Sequence, residues 1–317
     1  MIIKRTFVYR EILRLGLALC AALAQDDYFK VGRNYTKQQF TYPLIDKILI
    51  FRYNKTITLK ESHMPTQTTH KRAYISKKAA CEKAAIAVDI LKDLYPSAVC
   101  ALEWCGESYR TTTHESPTRD EGYLPSPDLL KESWKLLVMG RLSAQCTDAR
   151  VNLVCKVLFE KFPTVNAMAE GDILDIEAIV RPCGLYHTKA QNIKDACAIL
   201  VKEHNGVVPC DMEALLALPG VGRKIANLLM GDVYRVPGVV ADTHCIRICG
   251  RLGFYPEDVK DPTKVEHIMS KFIEPREQSD FCHRIVQFGR DVCMARTPAC
   301  PTCPMASICT HAKKALK

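Results

Sequence analysis

From Leu129 onward, apolar residues recur every three or four positions in run after run, with short connections and no strand-like alternation. A chain patterned this way must bury its stripes helix against helix. The expectation is an all-α fold after residue 75. The runs fall at about 130–143, 147–161, 172–181, 187–204, 211–217, 222–232, 243–252, 262–273 and 278–292, preceded by an Ala-rich helix from Ser76 to Leu94. Residues 106–128 are polar and read as a loop or insertion. No apolar run is long enough to span a bilayer, so no membrane association is expected.

One connection differs from the rest. In Leu218-Pro219-Gly220-Val221-Gly222-Arg223-Lys224, a proline and two glycines make a tight turn between two helical runs. Gly220 and Gly222 remove the side chains that keep a backbone away from a partner. The amides of the turn, Val221 included, and the helix start behind it form an anion site suited to a phosphate. Most such turns are plain connections, so the turn is informative only with its neighbours. Lys224 lies in the first turn of the helix, where the positive end of the dipole disfavours its ammonium form. That makes it a candidate nucleophile for Schiff-base chemistry, against the plainer reading of a solvated surface lysine. Asp242 follows 18 positions on, before another helical run that it can cap while ionised. An amine, a carboxylate and a phosphate site suggest chemistry at a nucleic-acid backbone.

The net charge of +9 adds little to that argument. Residues 1–63 hold 11 basic and 5 acidic residues, and the remaining 254 are close to balanced. Residues 1–24 pair basic residues with an apolar run ending Ala22-Leu23-Ala24. They admit three readings: a secretory signal peptide, an organellar transit segment, or sequence upstream of a natural start at Met64. The third is favoured, because the thiol content conflicts with secretion. Residues 39–62 suggest a short β-hairpin.

Sixteen cysteines are present, and twelve stand singly inside helical or apolar patterns, as reduced buried thiols do. The expected compartment is therefore reducing: the cytoplasm, on the nucleoid in a bacterium, with organellar targeting left open. The other four, Cys293, Cys300, Cys303 and Cys309, are spaced C-x6-C-x2-C-x5-C within 17 residues. Structural zinc usually takes two well-separated C-x2-C knuckles. One knuckle flanked by single cysteines in a compact run favours an iron–sulfur cluster, with zinc the rival.

Together these features resemble the endonuclease III family of DNA glycosylases: the hairpin with Lys224, Val240-Ala241-Asp242-Thr243-His244, and the cysteine tail. Leu142-Ser143-Ala144-Gln145-Cys146-Thr147-Asp148, Gly184-Leu185-Tyr186 and His204-Asn205-Gly206-Val207-Val208-Pro209 extend the match over roughly 76–104 and 129–311. The resemblance implies two helical domains with a DNA cleft between them. A six-helix domain would span 130–236. The cluster domain would join the helix of 76–104 to 237–317, leaving 1–75 as an extension and 105–129 as an insertion. A [4Fe–4S] cluster would sit on the four cysteines, and an alkali cation on the hairpin carbonyls.

The implied partner is duplex DNA with a damaged base or abasic site, bound by a monomer. The base would be an oxidised pyrimidine flipped from the stack. Lys224 would displace it, Asp242 would support that step, and β-elimination would cut the strand 3′ to the abasic site. Gln145 and Leu185 would fill the gap left by the base, against plain readings as a surface amide and a core leucine. His244 would lie near the backbone contacts, and Arg296 would touch a phosphate. The loop Met294 to Ala299 departs from the family pattern in carrying one cation where two or three are usual.

Monofunctional relatives acting on mismatched adenine, uracil or thymine are the alternatives. The adenine-specific type typically lacks the lysine and carries a further C-terminal domain, whereas this sequence ends 8 residues after Cys309. A non-catalytic DNA-binding iron–sulfur module would be expected to lack Lys224 or Asp242.

Overall fold

The structure is a computed structural model that describes residues 75–105, 118 and 120–316. The leader-like segment 1–24, Met64, the hairpin expected at 39–62 and most of the polar insertion lie outside the described residues. Among the described residues all regular structure is helical, as expected. The α-helices are α1 (Lys77–Leu94), α2 (Pro127–Leu142), α3 (Asp148–Lys161), α4 (Val165–Glu170), α5 (Ile173–Val180), α6 (Tyr186–Glu203), α7 (Met212–Ala217), α8 (Arg223–Tyr234), α9 (Thr243–Leu252), α10 (Pro262–Met269), α11 (Gln278–Asp291) and α12 (Thr310–Ala315).

Local chemistry sets most of the starts. Ser76, Ser126, Thr164, Asp172, Asp211, Asp242 and Asp261 each cap a helix through a side-chain oxygen. Pro127 at the head of α2 places that start earlier than apolar periodicity alone suggests. The six-residue helices α4 and α12 were not expected; each buries a single side chain, Met168 and Ala312. The run at 172–181 instead ends as α5 at Val180 and passes into a 3-10 turn, Arg181–Cys183, where Pro182 lacks an amide hydrogen. The run at 262–273 ends as helix at Met269; Ile273 still points inward from the turn that follows.

The helices pack in two sets. In the first, α2 lies at the centre against α3, α6 and α8, while α5 and α4 cover α6. Trp134, Leu136, Leu137, Val138, Met139 and Leu142 of α2 are all buried. Gly140 lets α8 approach: a Cβ there would lie 3.3 Å from Ile225. In the second set, α9 packs on α11 and α12, and α1 returns from the N-terminal side to cover α11. The Leu252 carbonyl accepts from both Lys83 of α1 and Thr310 of α12, which ties three helices at one point. The two sets meet where α8 crosses α11.

Candidate active site

A cavity of about 640 Å³ lies between the sets. Its wall includes Lys224 and Leu228 from α8, Val240 and Asp242 from the loop before α9, Asp148 and Asn152 from α3, and His283 and Arg290 from α11. The connection after α1, from Tyr95 to Glu103, closes one side. Asn152 fixes that connection by donating to the Ala101 carbonyl at 3.0 Å and accepting from the Glu103 amide at 3.2 Å. The two residues expected to carry chemistry therefore share one cavity.

Their mutual placement has a specific cause. Lys224 is exposed in the first turn of α8, and Asn227, nearly a turn later, is buried. The Asn227 side chain donates to the Val239 carbonyl at 3.2 Å, which pins the loop leading to Asp242. From the other side, the Val240 amide donates to Cys282 Sγ of α11 at 3.2 Å. Asp242 is half-buried and accepts from the Cys245 amide at 2.7 Å, so it caps α9 as expected. The turn before Lys224 has Gly220 at φ 76°, and a Cβ there would lie 2.5 Å from Arg141 Nε. Arg141 donates to Asn192 Oδ1 at 3.0 Å, so the turn rests on an α2–α6 hydrogen bond. Val221 is buried; Gly222, which heads α8 without a side-chain cap, has open space around its Cα.

Gln145 and Leu185 both adopt left-handed backbone, with φ of 56° and 51°, on exposed loops. Leu185 is 60% exposed, which removes the plain reading of a core leucine. Among the described residues only Asn205 and Arg235 are other non-glycine residues in that region. Such backbone persists when the surroundings over-determine it. Here Lys189, fully buried on α6, gathers both loops. Its ammonium donates to Leu142 O at 2.9 Å and Ala144 O at 2.7 Å on the Gln145 side, and to Cys183 O at 2.8 Å on the Leu185 side. Burial lowers its pKa, while three carbonyl dipoles favour the charged form. The sequence reading missed Lys189. Its signal was a lysine in register with Ile193, Ala196 and Leu200 on the buried stripe of α6.

His244 is half-buried beneath α11, where Gly289 makes room: a Cβ there would lie 2.3 Å from His244 Nδ1. Burial lowers the His244 pKa, Asp242 opposes the shift, and Arg247 and Arg290 reinforce it, for a net downward shift. Arg290 also pairs with Asp148 at the cavity wall.

Arg296 is exposed on the loop between Cys293 and Cys300, away from the cavity lining. That loop is held from α9 by two arginines the sequence reading did not single out. Arg247 donates to Cys293 O at 3.1 Å, and Arg251 donates to Met294 O at 2.8 Å and Ala295 O at 2.7 Å. Their spacing of four puts them on one face of α9.

The four tail cysteines suit a centre larger than one ion. Tetrahedral zinc, with metal–sulfur bonds near ~2.3 Å, brings its sulfurs within about 4 Å of each other. Among the described residues, no three of these thiols lie within 4.8 Å of one another. Arg251 donates to Cys293 Sγ at 3.3 Å and the Ala312 amide to Cys309 Sγ at 3.4 Å, the kind of hydrogen bonds that stabilise thiolates on a cluster.

A helical scaffold with a glycine hairpin, an exposed lysine and a capping aspartate on one cavity defines a class. Residues 138–275 match the model of the HhH-GPD superfamily base excision DNA repair proteins. Within that class, the chain is 38% identical over 225 residues to endonuclease III of Synechocystis sp., covering 71% of this chain and 90% of that one. The chain belongs to the endonuclease III family, DNA glycosylases with abasic-site lyase activity that act in base excision repair. Two solved structures are similar in fold at 35% identity. A non-covalent endonuclease III–DNA complex has a TM-score of 0.62, covering 76% of this chain and 99% of that one. A trapped endonuclease III–DNA covalent intermediate has a TM-score of 0.61, covering 77% and 100%. Among the described residues no helix is long and apolar enough to cross a membrane.

Proposed function

We propose that this enzyme removes oxidised pyrimidines from duplex DNA and cuts the strand through a Schiff base on Lys224. The observation that carries the reading is the shared cavity of Lys224 and Asp242, with Asn227 bridging the segments that bear them.

The Lys224 Nζ lone pair attacks C1′ of the extruded nucleotide. The C1′–N bond breaks, and the base leaves with the electron pair and takes up a proton. Asp242, which caps α9 at the cavity wall, stabilises positive charge on the sugar and assists proton transfer. The lysine nitrogen then expels the ring oxygen to give an iminium at C1′. That iminium acidifies the C2′ proton, and loss of this proton expels the 3′ phosphate oxygen. Gln145 and Leu185 enter the gap left by the base, from loops whose backbone Lys189 fixes beforehand.

The turn Gly220-Val221-Gly222 presents its amides to the DNA backbone, with His244 and Arg296 as further contacts. The carbonyls of the same turn would hold the alkali cation that the resemblance implies. Cys293, Cys300, Cys303 and Cys309 would hold a [4Fe–4S] cluster that fixes the Arg296 loop. Its contribution is structural, and no step of the chemistry passes through it.

The test is borohydride trapping on a duplex with a single thymine glycol, with Lys224→Gln as control. A covalent adduct lost in the variant is expected. Folded, cluster-loaded protein that forms no adduct even on an abasic site would overturn the reading, and a water nucleophile directed by Asp242 would replace it.

A further inference from the structure

Three residues outside the proposed chemistry form a second constellation. Cys100 Sγ, an Asp232 carboxylate oxygen and a His283 ring nitrogen lie within 4.8 Å of one another. His283 Nε2 is 2.7 Å from Asp232 Oδ1, and both side chains are more than nine-tenths buried, as is Cys100. The three come from separate segments: the connection after α1, the last turn of α8 and the middle of α11. They meet where the two helix sets join, and Cys100 and His283 reach the cavity wall.

Hydrogen bonding leaves this group incomplete. Asp232 Oδ1 receives His283 and also Ser279 Oγ at 3.4 Å. Asp232 Oδ2 is buried and receives no nitrogen or hydroxyl donor; the weakly donating Cys100 thiol is the further group that bears on this carboxylate. A buried carboxylate oxygen without a strong donor is costly and calls for a positive partner.

We propose that Cys100, Asp232 and His283 form a metal site for one borderline-soft divalent cation of the zinc type. The donor set selects that class. Thiolate and imidazole suit zinc, whereas magnesium and calcium prefer all-oxygen shells. A cation there engages Oδ2. Three protein ligands leave the fourth position to water from the cavity. Binding releases the Cys100 thiol proton to solvent and leaves the imidazole neutral, with no change of oxidation state. The bound ion joins α8, which carries Lys224, to α11 and to the segment that closes the cavity. This site is separate from the four tail cysteines and does not depend on the lysine chemistry.

The experiment is titration of iron-replete, full-length protein with Co²⁺. One equivalent is expected to bind with a sulfur-to-cobalt charge-transfer band. Cys100→Ser removes that band, and His283→Gln weakens binding about 10-fold or more, each at unchanged iron content. Added Zn²⁺ raises the melting temperature of the parent protein and not of Cys100→Ser. The proposal is overturned if the parent binds no cobalt with a thiolate band, or if Cys100→Ser binds as the parent does. If the variants fail to fold, X-ray absorption at the zinc edge of zinc-loaded parent protein decides. Mixed sulfur, nitrogen and oxygen ligation supports the site; all-sulfur ligation, or no bound zinc, overturns it.

Discussion

The Lys189 ammonium donates to the Ala144 carbonyl at 2.7 Å from a position with no solvent exposure. The same nitrogen reaches Cys183 O, so one charge joins the loops of Gln145 and Leu185. Lys189→Met keeps the length of the side chain and removes the donors. Hydrogen bonds to a charged group each contribute about 1.5–3 kcal/mol; set against the cost of burying the ammonium, which methionine does not bear, the three bonds leave an expected net loss of stability of about 3 kcal/mol in urea unfolding. Excision of a base-paired lesion should fall more than cleavage of a preformed abasic site. A variant as stable as the parent would show that the two loops hold themselves.

Asp242 has two roles that one substitution separates. Asparagine caps helices about as well as aspartate, so Asp242→Asn should change stability by less than about 1 kcal/mol. It removes the negative charge, so base excision should fall by roughly 10²- to 10⁴-fold. Single-turnover kinetics beside a thermal melt check both. Full activity in the folded variant would remove Asp242 from the chemistry.

Gly220 is required twice, by its φ of 76° and by the 2.5 Å that would separate a Cβ from Arg141. Gly220→Ala should cost about 1–3 kcal/mol and tilt the turn amides away from the DNA backbone. The log–log slope of DNA affinity against salt should become shallower, because fewer phosphates are neutralised. Gly222→Ala, with nothing near its Cα, should be much milder in stability. Equal losses in the two variants would contradict this account of the turn.

The His244 pKa is shifted downward from its ordinary 6.5 by burial. Between that value and the lower folded-state value, the unfolded chain binds the extra proton, so stability rises with pH. As pH falls from 6.5 through the folded pKa, this contribution is lost. His244→Asn should flatten that decline, read from urea unfolding between about pH 5 and 7. An unchanged slope would mean that other groups set the acid limit.

Much was legible before the fold because it is local. Apolar spacing of three and four marks helices without reference to what they touch, and Ser76, Asp211 and Asp242 cap their own helices within three residues. The hairpin with Lys224 and the C-x6-C-x2-C-x5-C run are patterns of neighbours. The short helices α4 and α12 escaped the reading, because each buries a single side chain and so carries no apolar stripe.

Residues joined across long stretches of chain were decided only by tertiary structure. The chain by itself specified helices, the candidate lysine and aspartate, and four clustered thiols. Folding decided that Asn227 pins the Asp242 loop, that Lys189 serves carbonyls 45 and 47 positions away, and that Arg251 supports a loop more than forty residues on. It also brought Cys100, Asp232 and His283 together from three segments. The physical reason is that a buried polar side chain must find partners wherever packing places them, and no local spacing encodes where that is.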